Sequence, residues 1–204
     1  MPRRPSIERK RTYRQVARAQ SAQETEEKIL EAATRLFAEK YYDEVTLDHV
    51  AELAGVTTKT VMRRFGSKEA LAGKFLEGAG QHDAAQRDAV PAGDVDAALK
   101  LIIGSYELFG DAVIRNLSLE GRIPMVTAFA EKGRELHSAW VSRVFGPLAT
   151  NDPVRRKMDL ALLLVATDVY TWKLLRRDRK FSEAETAQAV RQLVDQVLRR
   201  SSNR

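Results

Sequence analysis

The chain has 204 residues, a formal charge of +6, three histidines and no cysteine. Without cysteine there are no disulfides, thiol nucleophiles or thiolate zinc sites, and His49, His82 and His137 lack the spacing of metal ligands, so no metal or cofactor is expected. The charged start MPRRPSIERKR lacks a secretory core, and the longest aliphatic run, Leu160 to Ala166, has seven residues where a spanning helix needs about 20, so a soluble, cytoplasmic protein is expected.

Residues 1–22 hold seven cations (Arg3, Arg4, Arg9, Lys10, Arg11, Arg14 and Arg18) against Glu8 alone, and the remainder balances 27 cations with 27 anions. A basic arm on a neutral body suits a polyanionic partner. We read residues 1–22 as a flexible arm, turning helical toward Gln15–Ala22, that orders on DNA. A solubilising tail is the plainer alternative.

The spacing of Ile29, Ala33, Leu36 and Phe37 predicts a first helix over Thr25–Lys40, with Glu24, Glu26 and Glu27 complementing its dipole. Thr46 caps a second helix over Leu47–Leu53, and Ala54-Gly55-Val56 forms a sharp turn in which glycine accepts a positive φ. Thr57 caps a third helix running to Phe65, Gly66 ends it, and Ser67 caps a fourth from Lys68 to about His82. Residues 46–65 therefore read as a helix-turn-helix core within a unit spanning 23–82. Leu47, Val50, Ala51, Val61 and Phe65 form its apolar side, while Lys59, Arg63, Arg64 and Lys68 carry charge with no carboxylate between Thr57 and Lys68. Such a helix suits the DNA major groove.

Pro91 and Gly93 mark residues 83–93 as a boundary, so 83–204 reads as a second helical domain. Its predicted elements are Val95–Phe109, a short element at Asp111–Leu119, Pro124–Phe145, Val154–Arg177, and a last helix from Ser182, boxed by Glu185, to about Arg200. Arg176, Arg177, Arg179 and Lys180 suit a helix C-terminus and need no further role. No sustained period-two alternation appears, so the fold class is all-α.

The stretch ILEAATRLFAEKYYDEVTLDHVAELAGVTTKTVMRRFGSKEAL resembles the DNA-binding domain of the TetR (tetracycline repressor) family. Thr46, Ala51, Gly55-Val56, Thr60-Val61, Phe65 and Ser67-Lys68-Glu69 carry the likeness across Glu24–Leu76. The resemblance implies that Thr58, Lys59, Thr60 and Arg63 reach the major groove, and that Thr46 and Thr57 place helix N-termini on phosphates. It also makes Lys68 a phosphate clamp, while Arg64 is either a backbone contact or plain surface charge. Met62 stands where the family commonly has tyrosine, so that tyrosine's phosphate hydrogen bond does not carry over.

Beyond that domain the resemblance implies a homodimer through helices 154–177 and 182–200, whose apolar stripes include Met158, Ala161, Leu162, Val165, Val169, Trp172 and Leu175. It also implies a small-molecule effector pocket. Tyr106, Phe109, Met125, Phe129, His137, Trp140 and Tyr170 are the candidate lining, with Arg115 or Glu120 for charge, although ordinary core is the plainer reading of each. The implied function is a ligand-responsive repressor on a palindromic operator. A constitutive or architectural DNA-binding protein without an effector is the alternative. An enzyme is disfavoured, since no nucleophile–base pair or phosphate-binding glycine loop appears.

Overall fold

The computed structural model describes the backbone of residues 6–202 and the side chains of 16–200, and its contacts divide the chain into two units, Met1–Phe75 and Leu76–Arg204. Among the described residues every regular element is helical, and no helix is long and apolar enough to cross a membrane.

In the first unit, α1 runs from Ser6 to Glu39 without a break. The sequence reading started this helix at Thr25 and treated 1–22 as an arm, because the buried stripe (Ile29, Ala32, Ala33, Leu36, Phe37) marks only the packed half. The half before it has no glycine or proline and is rich in Ala, Arg, Gln and Glu, which sustain a helix without burial. Glu24, Glu26 and Glu27 consequently lie in mid-helix, away from the dipole's positive end. Residues 1–5 of the expected arm lie outside the described residues.

A short 3-10 turn, Tyr42–Glu44, leads to α2, Leu47–Ala54, and α3, Thr58–Phe65. The expected caps are present: the Thr46 hydroxyl accepts from the His49 amide and the Thr57 hydroxyl from the Thr60 amide, each at 3.2 Å. Gly55, at φ 65°, reverses the chain between them in a conformation that costs other residues strain. Val50, Ala51 and Val61 are buried with Val45, Leu71 and Ala72, whereas Leu47 and Phe65 are only half-buried. Phe37 stacks between Tyr42 (5.9 Å) and Phe75 (5.7 Å).

Helix α4, Lys68–Asp88, continues past the expected end near His82. Its sequence holds no proline until Pro91, and Arg87 pairs back to Asp83 one turn earlier. Arg143 donates to the Arg87 carbonyl in its last turn (2.5 Å) and to the Val90 carbonyl just beyond its end (2.8 Å).

The second unit contains α5, Val95–Leu117, α6, Pro124–Phe145, α7, Pro153–Ala166, α8, Val169–Lys173, and α9, Glu183–Ser202. Two expectations are corrected. The elements 95–109 and 111–119 are one helix: Gly110 packs directly under the Trp172 ring, where a Cβ would lie 2.5 Å from it. The single helix 154–177 is broken at Thr167-Asp168, where the Thr167 hydroxyl donates to the Leu163 carbonyl and Asp168 caps a new start by accepting from the Tyr170 amide, both at 2.8 Å. A π-helical turn, Leu174–Asp178, follows α8.

That turn is clamped to α5, which corrects the reading of Arg176 and Arg177 as plain helix-end cations. Arg176 and the Trp172 indole both donate to Glu107, at 3.0 and 2.7 Å, and Arg177 pairs with Asp111 at 2.9 Å while lying 4.5 Å over Trp172. The guanidiniums and indole hydrogen bonds hold both carboxyls below the usual carboxylate range, against the opposing effect of burial. The core gathers Leu99, Ile102, Val141, Phe145, Leu163 and Trp172 with Val190 and Val194 of α9. The Ser182–Glu185 capping box forms as expected, with the Ser182 amide donating to Glu185 at 2.7 Å and the Glu185 amide to Ser182 at 3.2 Å.

Candidate nucleic-acid interface

Helix α3 is fixed from three directions. Val61, fully buried, anchors its inner side, Thr57 caps its start, and the Thr58 hydroxyl donates to the Asp48 carboxylate of α2. Thr58 therefore spends its hydrogen bond on joining the two helices, a role the sequence spacing does not reveal. The hydroxyl of Thr60 lies 3.0 Å from that of Thr57, so these two form a polar corner at the helix start.

Lys59, Met62, Arg63 and Arg64 are exposed. Among the described residues Lys59, Arg63 and Arg64 make no ion pair, so three cations project from a rigid, capped helix with no internal countercharge. An unneutralised cationic face of this size suits phosphates and the acceptor edges of guanine. Met62, 52% exposed, sits among these cations as an apolar contact that can meet a thymine methyl.

Lys68 is placed differently from a free clamp. Its ammonium donates to the Tyr42 carbonyl at 3.0 Å and lies 4.3 Å over the Tyr42 ring. The Tyr42 hydroxyl in turn donates to Glu69 at 3.2 Å, and burial together with that carboxylate pushes the phenol up to about 12. Lys68 thus ties the start of α4 to the 3-10 turn, with ammonium donors left for an outside acceptor. Sequence reasoning missed this knot because its members are more than twenty residues apart and follow no periodicity.

In the second unit the candidate effector residues differ in burial. Phe109, Phe129 and Tyr170 are exposed, and Arg115 and Met125 are half-buried. Glu120 is paired with Arg134. Tyr106, His137 and Trp140 belong to a packed polar seam: the Tyr106 hydroxyl donates to the Thr167 carbonyl at 3.1 Å, and burial raises its pKa. His137 stacks on Trp140 at 5.7 Å, and its ring nitrogens lie 3.1 Å from the Thr167 hydroxyl and 3.2 Å from the Arg87 guanidinium. Arg87 can only donate and Thr167 already donates to Leu163, so the imidazole is neutral with its proton on Nε2. Burial, and secondarily Arg87, depress its pKa to about 4. Sequence reasoning missed Arg87 and Thr167, whose part in this seam comes only from tertiary packing. Among the described residues no cluster of His, Asp and Glu is arranged to hold a metal.

Residues 29–74 match the family model for bacterial regulatory proteins of the tetR family. Among solved structures, a tetR-family transcriptional regulator from Streptomyces coelicolor is similar at 18% identity over 88% of this chain and 89% of its own, with a TM-score of 0.68. NalD, the secondary repressor of the MexAB-OprM multidrug efflux pump in Pseudomonas aeruginosa, is similar at 18% identity over 88% of this chain and 96% of its own, with a TM-score of 0.56. A gamma-butyrolactone receptor, an ArpA-like protein, is similar at 18% identity over 89% and 99%, with a TM-score of 0.51. At these identities the structural likeness speaks for the fold. No curated protein sequence matches the chain.

Proposed function

Because the chain belongs to the tetR family of bacterial regulatory proteins through the DNA-binding module at residues 29–74, we propose that it is a cytoplasmic, homodimeric repressor that releases a palindromic operator when a small molecule binds. The observation that carries the DNA half of this reading is the cationic face of Lys59, Arg63 and Arg64, without an ion pair among the described residues, on a helix held by a cap, a buried valine and the Thr58–Asp48 bond. Lys59 and Arg63 read bases, while Thr46, Thr57 and Arg64 grip phosphates.

The dimer is supported by a second feature. Val154, Met158, Leu162 and Val165 recur along one side of α7 and all face solvent, beside Leu193 on α9. Two adjacent helices that leave an apolar side uncovered suit a second copy of the same surface in a four-helix interface. Two heads are also what a palindrome requires. A repressor role and a small effector accord with NalD, an efflux-pump repressor, and with the gamma-butyrolactone receptor that shares the fold. The constitutive alternative would be excluded by ligand-induced release of operator DNA.

Equilibrium binding of Lys59→Ala and Arg63→Ala tests the reading. Each substitution is expected to cost about 1–3 kcal/mol on the cognate site and much less on random DNA. Equal weakening on both would remove base reading and leave phosphate contact alone.

A further inference from the structure

The first 23 residues of α1, Ser6–Lys28, lie outside the segment that matches the family model. Their C-terminal part nevertheless forms one wall of an open groove whose other wall is the start and outer side of α3. Arg18 and Ser21 come from α1, and Thr57, Thr60, Arg63 and Arg64 from α3 and its cap. Among the described residues no carboxylate lines this groove, and none of its three arginines makes an ion pair. Alanines 17 and 22 keep the α1 wall low. The result is a trough with guanidiniums on both sides and hydroxyls at one end.

The charge order along α1 adds an independent argument. Arg9, Lys10, Arg11, Arg14 and Arg18 against Glu8 occupy its N-terminal half, while Glu24, Glu26, Glu27, Glu31 and Glu39 against Lys28 and Arg35 follow. In the helical sequence Arg14 and Arg11 precede Arg18 by four and seven residues. From Arg11 to Thr25 the axis covers about 21 Å at about 1.5 Å per residue, the axial length of about six base pairs.

We propose that this groove seats a strand of DNA backbone, with Arg18 of α1 opposite Arg64 of α3 as phosphate ligands and Arg14 and Arg11, earlier in the helix, continuing the track. Helix α1 is then a second DNA-binding element, sequence-independent and additional to the recognition helix. The inference rests on the DNA-binding reading above. It gives the basic extension a defined seat, where the sequence alone suggests only a diffuse attraction.

Its test is the salt dependence of binding of the full-length protein to a random-sequence duplex. Each phosphate contact contributes a slope of about 0.9 in log affinity against log salt. Arg18→Ala should flatten the slope by about 0.9, and the combined Arg11→Ala, Arg14→Ala, Arg18→Ala variant by about 2.7. The three arginine-to-lysine replacements should restore the slope, which guards against a folding defect. Ser21→Trp, which fills the trough without changing charge, should weaken binding several-fold with circular dichroism unchanged. A wild-type protein with no salt-dependent DNA binding would overturn the DNA reading itself. Wild-type binding with an unchanged slope in the triple variant, or full affinity in Ser21→Trp, would overturn the groove alone. So would a loss of slope in the triple variant with none in Arg18→Ala, since that pattern belongs to a loose tail.

Discussion

Single residues show where spacing informs and where it does not. Thr46, Thr57 and Gly55 act as the sequence reading expects, because caps and left-handed turns are local events set by the residues themselves. Thr58 and Lys68 are engaged inside the protein, with Asp48 and Tyr42, because such partners are chosen by packing. His137 belongs to the same class, and its burial has a measurable consequence. Its folded pKa of about 4 lies below the unfolded value near 6.5, so the unfolded chain takes up a proton first. The stability of the neutral form is complete above about pH 6.5, declines as pH falls toward 4, and then levels off, by at most about 3 kcal/mol. In urea titrations between these pH values, His137→Gln should lose less stability than the wild type, since glutamine keeps both hydrogen bonds without titrating. Glu107 and Asp111 are common to both proteins and cancel. Parallel declines would contradict the assignment.

At the scale of elements, helices with a buried stripe are legible and interruptions are not. Helices α2, α3, α6 and α9 lie close to their expected bounds, whereas α1 and α5 run through positions read as ends, and α7 stops within a stretch read as continuous. Gly110 shows why: taken as a break, it is instead the site where α5 and Trp172 make contact. Thr167-Asp168 and the π-helical turn likewise answer to tertiary partners, His137 for the first and Glu107 and Asp111 for the second. Gly110→Ala places a methyl against the rigid indole, so it should lower stability by about 1–3 kcal/mol despite the gain in helix propensity. Chemical denaturation read by far-UV circular dichroism measures this. A variant as stable as the wild type would mean that Trp172 moves aside freely.

For the whole molecule, the all-α class and the helix-turn-helix were legible because apolar period, caps and unneutralised charge coincide over a short stretch of chain. The effector side was not, because Tyr106, Phe109, Phe129 and Tyr170 are aromatic residues whose spacing does not distinguish core, surface and pocket. The uncovered side of α7 offers a direct handle on assembly: Met158→Asp should yield monomers in sedimentation at micromolar concentration and weaken operator binding, while a dimer of unchanged affinity would place the interface elsewhere. The central claim, recognition of a palindrome by paired α3 helices, is tested most directly by hydroxyl-radical footprinting of the purified protein on the DNA flanking its own gene. The expected result is two symmetric protected half-sites on one face of the duplex, about 34 Å or a further whole turn apart, resistant to random competitor DNA. Diffuse protection that random DNA removes equally well would contradict it.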